Sequence, residues 1–291
     1  MSQATDLALR DVARARRQVD WLNLALWVIV LGFGLKLAWA AAQNPAFEWR
    51  VVGHWFFDAT IMRGLSVTLG LTVVSMLIGV VIGVLLAVAR MSDSRLFRGI
   101  AWGYIWFFRG TPLLVQLIFW YNMSTLFSTV SLGVPFGPAF FTWKTNDLIT
   151  PLTAAFCGLA LNEAAYMAEI VRGGLLSIDP GQMDTARAFG MTHGRALRRI
   201  VIPQAMRAII PPTGNQLISM IKATSLVSVI AMADLLYSVQ AVYNRNFEVI
   251  PLLLVAVIWY LLITSLLNVG QGFIERRFAR GDRDTKVAEP A

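Results

Sequence analysis

The stretch 162–203, NEAAYMAEIVRGGLLSIDPGQMDTARAFGMTHGRALRRIVIP, decides how the whole chain is read. It begins at the end of an apolar run that carries Asn162, Glu163 and Glu169, then leaves the hydrophobic register for a polar, basic segment bounded by Pro180-Gly181 and Pro203. Arg172, Arg187, Arg195, Arg198, Arg199 and Arg207 lie in or beside that segment, against only Asp179 and Asp184. Gln182 to Phe189 is good helix material, started by Asp179-Pro180-Gly181 with Asp179 or a neighbour as its cap. Gly190 supplies the left-handed residue that ends such a helix. A short basic helix between two apolar runs is either an amphipathic element lying on lipid headgroups or a projection offered to a soluble partner.

Working outward, composition sets the class. The 291 residues are 57% apolar and only 14% charged, whereas soluble domains run near ~45–50% and ~25%. Most apolar side chains must therefore face lipid or one another, and six hydrophobic spans account for them. The first, Trp21 to about Ala42, follows Arg10, Arg14, Arg16 and Arg17, the pattern of a signal sequence or of an uncleaved anchor. Its length of about 20 residues is enough to cross a bilayer, and Lys36 can snorkel to the interface, so the anchor is favoured. The second, Leu65 to Ala89, is uncharged and places Ser75, Gly79, Gly83 and Ala87 on one face, where small residues allow close helix packing or are simply tolerated. The third, about Ile100 to Phe127, contains Arg109 and a Pro112 expected to bend it. The fourth runs from Leu148 to about Val171, the fifth from about Ala208 to Leu236, and the sixth from Ile250 to Phe273. The fifth is interrupted by Pro211-Pro212 and by Lys222-Ala223-Thr224-Ser225, and irregular backbone at membrane depth needs protein or a water-filled cavity around it.

Charge orients the six. Arg10, Arg14, Arg16, Arg17, Arg90, Arg95, Arg98, the six arginines of 172–207, and Arg276, Arg277, Arg280, Arg283 and Lys286 make eighteen cations on one side. The alternate connections hold four: Arg50, Arg63, Lys144 and Arg245. The positive-inside rule then makes both termini and the 172–207 loop cytoplasmic. Topology absorbs most of the net charge of +8, leaving no basic face on a soluble fold for nucleic acid. Cys157 is the sole cysteine, and His54 and His193 are far apart in sequence, so neither a disulfide framework nor a metal site is expected. No phosphate-binding Gly-x-x-x-x-Gly-Lys-Ser/Thr loop and no nucleophile with its base is present.

Within the opening stretch, Asp184-Thr185-Ala186, three residues, Gly190, nine residues, then Ile200-Val201-Ile202-Pro203 resembles the loop that binding-protein-dependent ABC permeases present to their ATPase. The family pattern is EAA, Gly, Ile-x-Leu-Pro at that spacing, and Asp184, Thr185 and Ile202 depart from it in residue type. FRGTPLLVQ at 108–116 and PPTGNQLISMIKATSLVSVI at 211–230 resemble the polar amino-acid branch, the histidine/glutamine type, which commonly has an acidic residue where Ala223 stands. The resemblance implies an all-α polytopic membrane protein of six transmembrane helices: a five-helix type I ABC importer permease core plus one extra N-terminal helix. It implies a division into 1–60 (basic N-terminus, extra helix and first external loop), 61–280 (transmembrane domain with coupling loop 172–207) and 281–291 (cytoplasmic tail).

The function so implied is a membrane subunit of an ATP-driven importer for polar amino acids in the bacterial inner membrane, working by alternating access. It is a transport subunit rather than an enzyme. Its partners would be an ABC ATPase dimer that binds the ATP, a second permease subunit, identical or paralogous, a periplasmic or surface amino-acid-binding protein, and lipid. Gly181, Gln182, Asp184, Thr185, Ala186, Gly190, Ile200 and Pro203 would contact the ATPase, short alanines permitting close docking. Ionisable groups inside spans are functional candidates: Asn162 and Glu163 lie past the midplane, with Glu163 facing an amino-acid ammonium or paired with Lys222. Thr224 and Ser225 could present hydroxyls to a substrate carboxylate, Asp234 could gate or be solvated, and Glu169 is expected to pair with Arg172. An ion-coupled secondary transporter is the main rival, though such proteins usually show an internal repeat and none is found here. A non-transporting scaffold is the other.

Overall fold

The computed structural model describes residues 21–134 and 137–279. Arg10, Arg14, Arg16, Arg17, Arg280, Arg283, Lys286 and the tail 281–291 lie outside the described residues. Residues 1–49 and 50–291 form two compact units. The first holds helix α1, Trp21–Gln43, whose side chains are exposed along almost its whole length, as expected of a helix that meets lipid. A 3-10 turn, Pro45–Phe47, follows, capped by the Asn44 side chain.

The second unit contains α2 (Trp49–Trp55, which begins on the boundary), α3 (Ala59–Met91), α4 (Arg95–Gly110), α5 (Leu113–Tyr121) and α6 (Met123–Leu126). A hairpin, β1 (Thr129–Gly133) and β2 (Ala139–Lys144), leads through α7 (Thr145–Leu148) to the long α8 (Pro151–Leu176). After α8 come α9 (Pro180–Ala188), α10 (His193–Ala196), a π turn at Leu197–Val201, α11 (Ile202–Ala223), a 3-10 segment at Thr224–Ile230, α12 (Leu235–Asn246) and α13 (Val249–Ala279). The antiparallel hairpin, all of its strand residues exposed, was not expected of an all-α chain; it is an insertion between helices and leaves the class intact.

Polar side chains start the helices. Asp58 Oδ1 accepts from the Thr60 amide at 2.7 Å ahead of α3. Thr150 and Thr153 form a reciprocal capping box at α8, with Pro151 in the first turn. Asp234 accepts from the Leu236 and Tyr237 amides at 3.2 and 2.9 Å and caps α12.

The centre of the unit is the α3–α8 pair. Thr68, Thr72, Ser75, Gly79, Gly83 and Ala87 all lie on the buried face of α3, so the small-residue stripe read from the sequence is the packing seam. A Cβ on Gly79 would stand 2.8 Å from Glu163 Cγ, and one on Gly83 would stand 2.6 Å from Met167 Cβ. Contacts 79 to 163 and 83 to 167 advance together, so α3 and α8 run parallel and their C-terminal ends share one end of the bundle. Lipid tails are as apolar as the side chains, so close van der Waals contact of this kind holds the helices together.

Among the described residues, four helices (α1, α3, α8 and α13) are long and apolar enough to cross a membrane. A fifth span is present if His193–Ile230 and Leu235–Asn246, bent by 46°, are taken as one. The third hydrophobic stretch departs from the expectation of a single bent span. It is two helices, because Thr111 (φ −114°, ψ 141°) and Pro112 are extended. A residue before proline is driven out of the helical region and proline itself cannot donate. Pro211-Pro212, by contrast, do not break α11, which continues to Ala223. Gln271 Nε2 donates to the Pro211 carbonyl at 2.7 Å, and the fifth stretch leaves α-helical geometry only at Thr224.

Candidate functional site

Two places were expected to carry function: the basic excursion after α8 and the polar residues inside the bundle. The excursion has the local structure read from its residues. Asp179 Oδ1 accepts from the Gly181 amide at 2.8 Å and starts α9. The Gly190 amide donates to Arg187 O at 2.9 Å and the Met191 amide to Ala186 O at 3.0 Å, with Gly190 at φ +74°. This is a Schellman termination, which needs the left-handed residue that glycine adopts without steric cost. Gly181, Gln182, Asp184 and Thr185 are exposed. Asp184 makes a loose pair with Arg187 at 3.7 Å, and Gln204 Nε2 reaches Gln182 Oε1 at 3.3 Å, tying α9 to the start of α11.

Three residues of that set have different roles from those expected. Ala186 is 2% exposed, so its small size serves packing inside the chain and not docking, because the helix turns this face toward α10 and the π turn. Ile200 is half-buried and Gly190 shapes the backbone. Pro203 lies exposed in the first turn of α11, where its missing N–H costs nothing. Phe189, 83% exposed at the end of α9, is the largest apolar group the excursion presents, and the spacing argument overlooked it. Its signal was an aromatic side chain next to the terminating glycine.

Inside the bundle, Asn162 and Glu163 adjoin but do different work. Asn162 Nδ2 donates to Phe108 O at 2.9 Å and to Gln116 Oε1 at 3.3 Å. Gln116 Nε2 in turn donates to Phe108 O at 3.0 Å and to Thr111 Oγ1 at 2.7 Å. These amides satisfy carbonyls freed by the break at Thr111-Pro112, so Asn162 braces the α4–α5 junction. Glu163 is 4% exposed, and both its carboxylate oxygens lie 3.4 Å from Gln216 Nε2 on α11. Among the described residues no ion pair reaches it, and Lys222 is exposed, so the expected salt bridge is absent. A buried carboxylate held by one neutral amide retains unused acceptor capacity. Ser75 Oγ, buried on the seam that passes Glu163, has no hydrogen-bond partner among the described residues.

Thr224 and Ser225 are not gathered with Glu163. They lie two turns beyond Gln216, roughly 12 Å along the axis. Their hydroxyls donate to Ile221 O at 2.6 Å and Lys222 O at 2.7 Å. With their protons so used, they do not present the free donors a substrate carboxylate would need. Asp234 is not solvated: it is fully buried and caps α12. Tyr260 Oη reaches Asp234 Oδ2 at 3.4 Å, and Thr68 Oγ1 accepts from the Leu235 amide at 3.0 Å, forming a second polar cluster. Glu169 and Arg172 pair at 2.7 Å as expected. Gln116, Gln216 and Tyr260 escaped the reading because attention went to ionisable groups, although an uncharged amide in an apolar run is a comparable signal. Among the described residues there is no cluster of His, Cys, Asp and Glu fit to hold a metal ion.

A bundle of parallel and broken membrane helices, polar residues at its seams and a capped helix projecting from one end defines a membrane transport subunit. Residues 79–280 match the family model of the binding-protein-dependent transport system inner membrane component. The chain belongs to that family, whose members are ABC importer permease subunits in the inner membrane.

It is 44% identical over 268 residues to the arginine transport system permease protein ArgU of Corynebacterium glutamicum, covering 90% of this chain and 83% of that one. It is 34% identical to the glutamine transport system permease protein GlnP of Escherichia coli K12, covering 80% of this chain and 97% of that one. The crystal structure of an amino acid ABC transporter with histidines superposes with a TM-score of 0.64 at 35% identity, over 75% of this chain and 94% of that one. An inward-facing MetNI methionine ABC transporter structure shares the fold, with a TM-score of 0.55 at 22% identity.

Proposed function

We propose that the chain carries a polar amino acid across the bacterial inner membrane and takes its drive from a separate ATPase dimer gripping α9. The observation that carries the reading is the excursion itself: a nine-residue helix capped by Asp179, closed at Gly190, and set between α8 and α11. A helix anchored at both ends to long membrane helices is a stiff lever. Its exposed Gly181, Gln182, Asp184, Thr185 and Phe189 form the surface a cleft on the ATPase would receive. The basic residues placed by the positive-inside rule put this excursion, and both termini, in the cytoplasm.

Glu163 is the pathway residue in this proposal. Its spare acceptor capacity suits the ammonium of an amino acid or a cationic side chain, and arginine, cystine and glutamine permeases among the relatives favour that substrate class. Asn162 supports the wall beside it, while Thr224 and Ser225 shape the break in the fifth stretch. ATP is bound and hydrolysed by the partner, and this chain needs no cofactor of its own. Residues 61–280 form the transport core, with 1–60 an added anchor and 281–291 a tail. A second permease subunit, identical or paralogous, completes the pathway, and a periplasmic or surface-tethered amino-acid-binding protein delivers the substrate.

The test is ATP turnover by the reconstituted complex with its binding protein. Stimulation by one polar amino acid supports the reading; transport that proceeds without any ATPase subunit overturns it.

A further inference from the structure

At the end of the bundle where α3 and α8 finish, three guanidinium groups and one carboxylate surround a side pocket of about 470 Å³. Arg90 comes from the last turn of α3, Arg109 from the end of α4, and Glu169 and Arg172 from the last turns of α8. Glu169 is committed to Arg172 at 2.7 Å. Arg109 lies over the Tyr166 ring at 5.3 Å and has no carboxylate partner. Among the described residues Arg90 makes no ion pair either, and no second acidic side chain lines the pocket. Two positive charges are therefore left over.

The surroundings say what covers them. Trp102 and Trp106 on α4 line the mouth, stack at 6.2 Å between centroids and are 53% and 66% exposed. On α3, Leu85 and Val88 beside Arg90 are 64% and 60% exposed. The pocket thus opens onto an apolar and indole surface of the kind that meets acyl chains and the headgroup boundary. Uncompensated arginines there are costly unless an anion joins them.

We infer that this pocket binds the phosphodiester of an anionic phospholipid, with Arg90 and Arg109 on the phosphate and Trp102 and Trp106 against the glycerol and upper acyl chain. Two guanidinium forks match a phosphate's oxygens, and basic pockets between membrane helices are a recurring form of headgroup recognition. The inference needs only that the chain is a membrane protein, so it stands or falls apart from the choice of substrate and from the ATPase.

The test uses the full importer in nanodiscs of phosphatidylcholine, titrated with phosphatidylglycerol and followed by native mass spectrometry of retained lipid. The wild type should keep phosphatidylglycerol selectively. Arg90→Gln with Arg109→Gln should cut that retention about tenfold, the weight of one charge-assisted contact, while Arg95→Gln with Arg98→Gln, on exposed α4 positions, should not. If the double variant fails to assemble, Arg109→Lys, which keeps the charge but loses the fork, should give a partial loss. Displacement by millimolar inorganic phosphate without lipid preference would assign the site to a free anion and overturn the lipid reading. Equal retention by all variants, or loss of subunit assembly with lipid retention unchanged, would overturn it as well, the latter by showing that protein covers the pocket.

Discussion

Glu163 lies on the α3–α8–α11 junction with a single neutral amide for company. If it meets a cationic group of the substrate, Glu163→Gln removes a charge-assisted bond of about 1.5–3 kcal/mol. Transport should then fall by about 10–100-fold while the complex still assembles; unchanged uptake would take Glu163 out of the pathway. Two neighbours on the same seam test packing instead of chemistry. Gly83→Leu forces a side chain into Met167 and the Ala164 carbonyl, and overpacking of that kind costs about 1–3 kcal/mol, visible as a lower Tm in detergent. Ser75→Ala removes a buried hydroxyl without a partner, so its Tm should stay level or rise. A clear drop would mean that Ser75 bonds to something in the working protein.

α9 is the element whose geometry should matter most for coupling. Nine residues are too few to be a stable helix alone, so it depends on its caps. Asp179→Ala should cost about 1 kcal/mol of capping and weaken substrate-stimulated ATP turnover with the permease still folded. Gly190→Pro combined with Asp184→Lys is the harsher version, since proline holds φ near −65° where the chain has +74°. That pair should abolish stimulation and leave binding-protein docking intact; normal turnover would show that α9 is not the lever. The α4–α5 break teaches a related point. Thr111 and Pro112 open the helix, but Gln116 and Asn162 are what make the opening affordable by satisfying its carbonyls.

For the whole molecule, the parallel run of α3 and α8 brings Arg90, Arg95, Arg98 and the basic excursion to one end. That arrangement agrees with the alternation of basic connections and supports the proposed orientation. The orientation can be checked in a Cys157→Ser background. An impermeant thiol reagent added outside should label Thr142→Cys on the exposed β2 strand and miss Thr185→Cys on α9 until the membrane is opened. The reverse pattern would turn the molecule over and remove the excursion from any cytosolic motor.

Helical membrane class, the small-residue seam, the capped excursion with its terminating glycine and the Glu169–Arg172 pair were all legible in the residues. Each rests on local rules: hydropathy over a span, spacing on one helical face, backbone freedom of glycine, charges three apart. Which polar groups meet across helices was not legible. Glu163 finds Gln216 and not Lys222, Asn162 braces a break 54 residues away, and Asp234 caps a buried helix. Ala186 faces inward although its family position suggested a docking surface. Such pairings depend on the rotation and depth of each helix against its neighbours, which are settled by close packing of the assembled bundle and are written in no single segment.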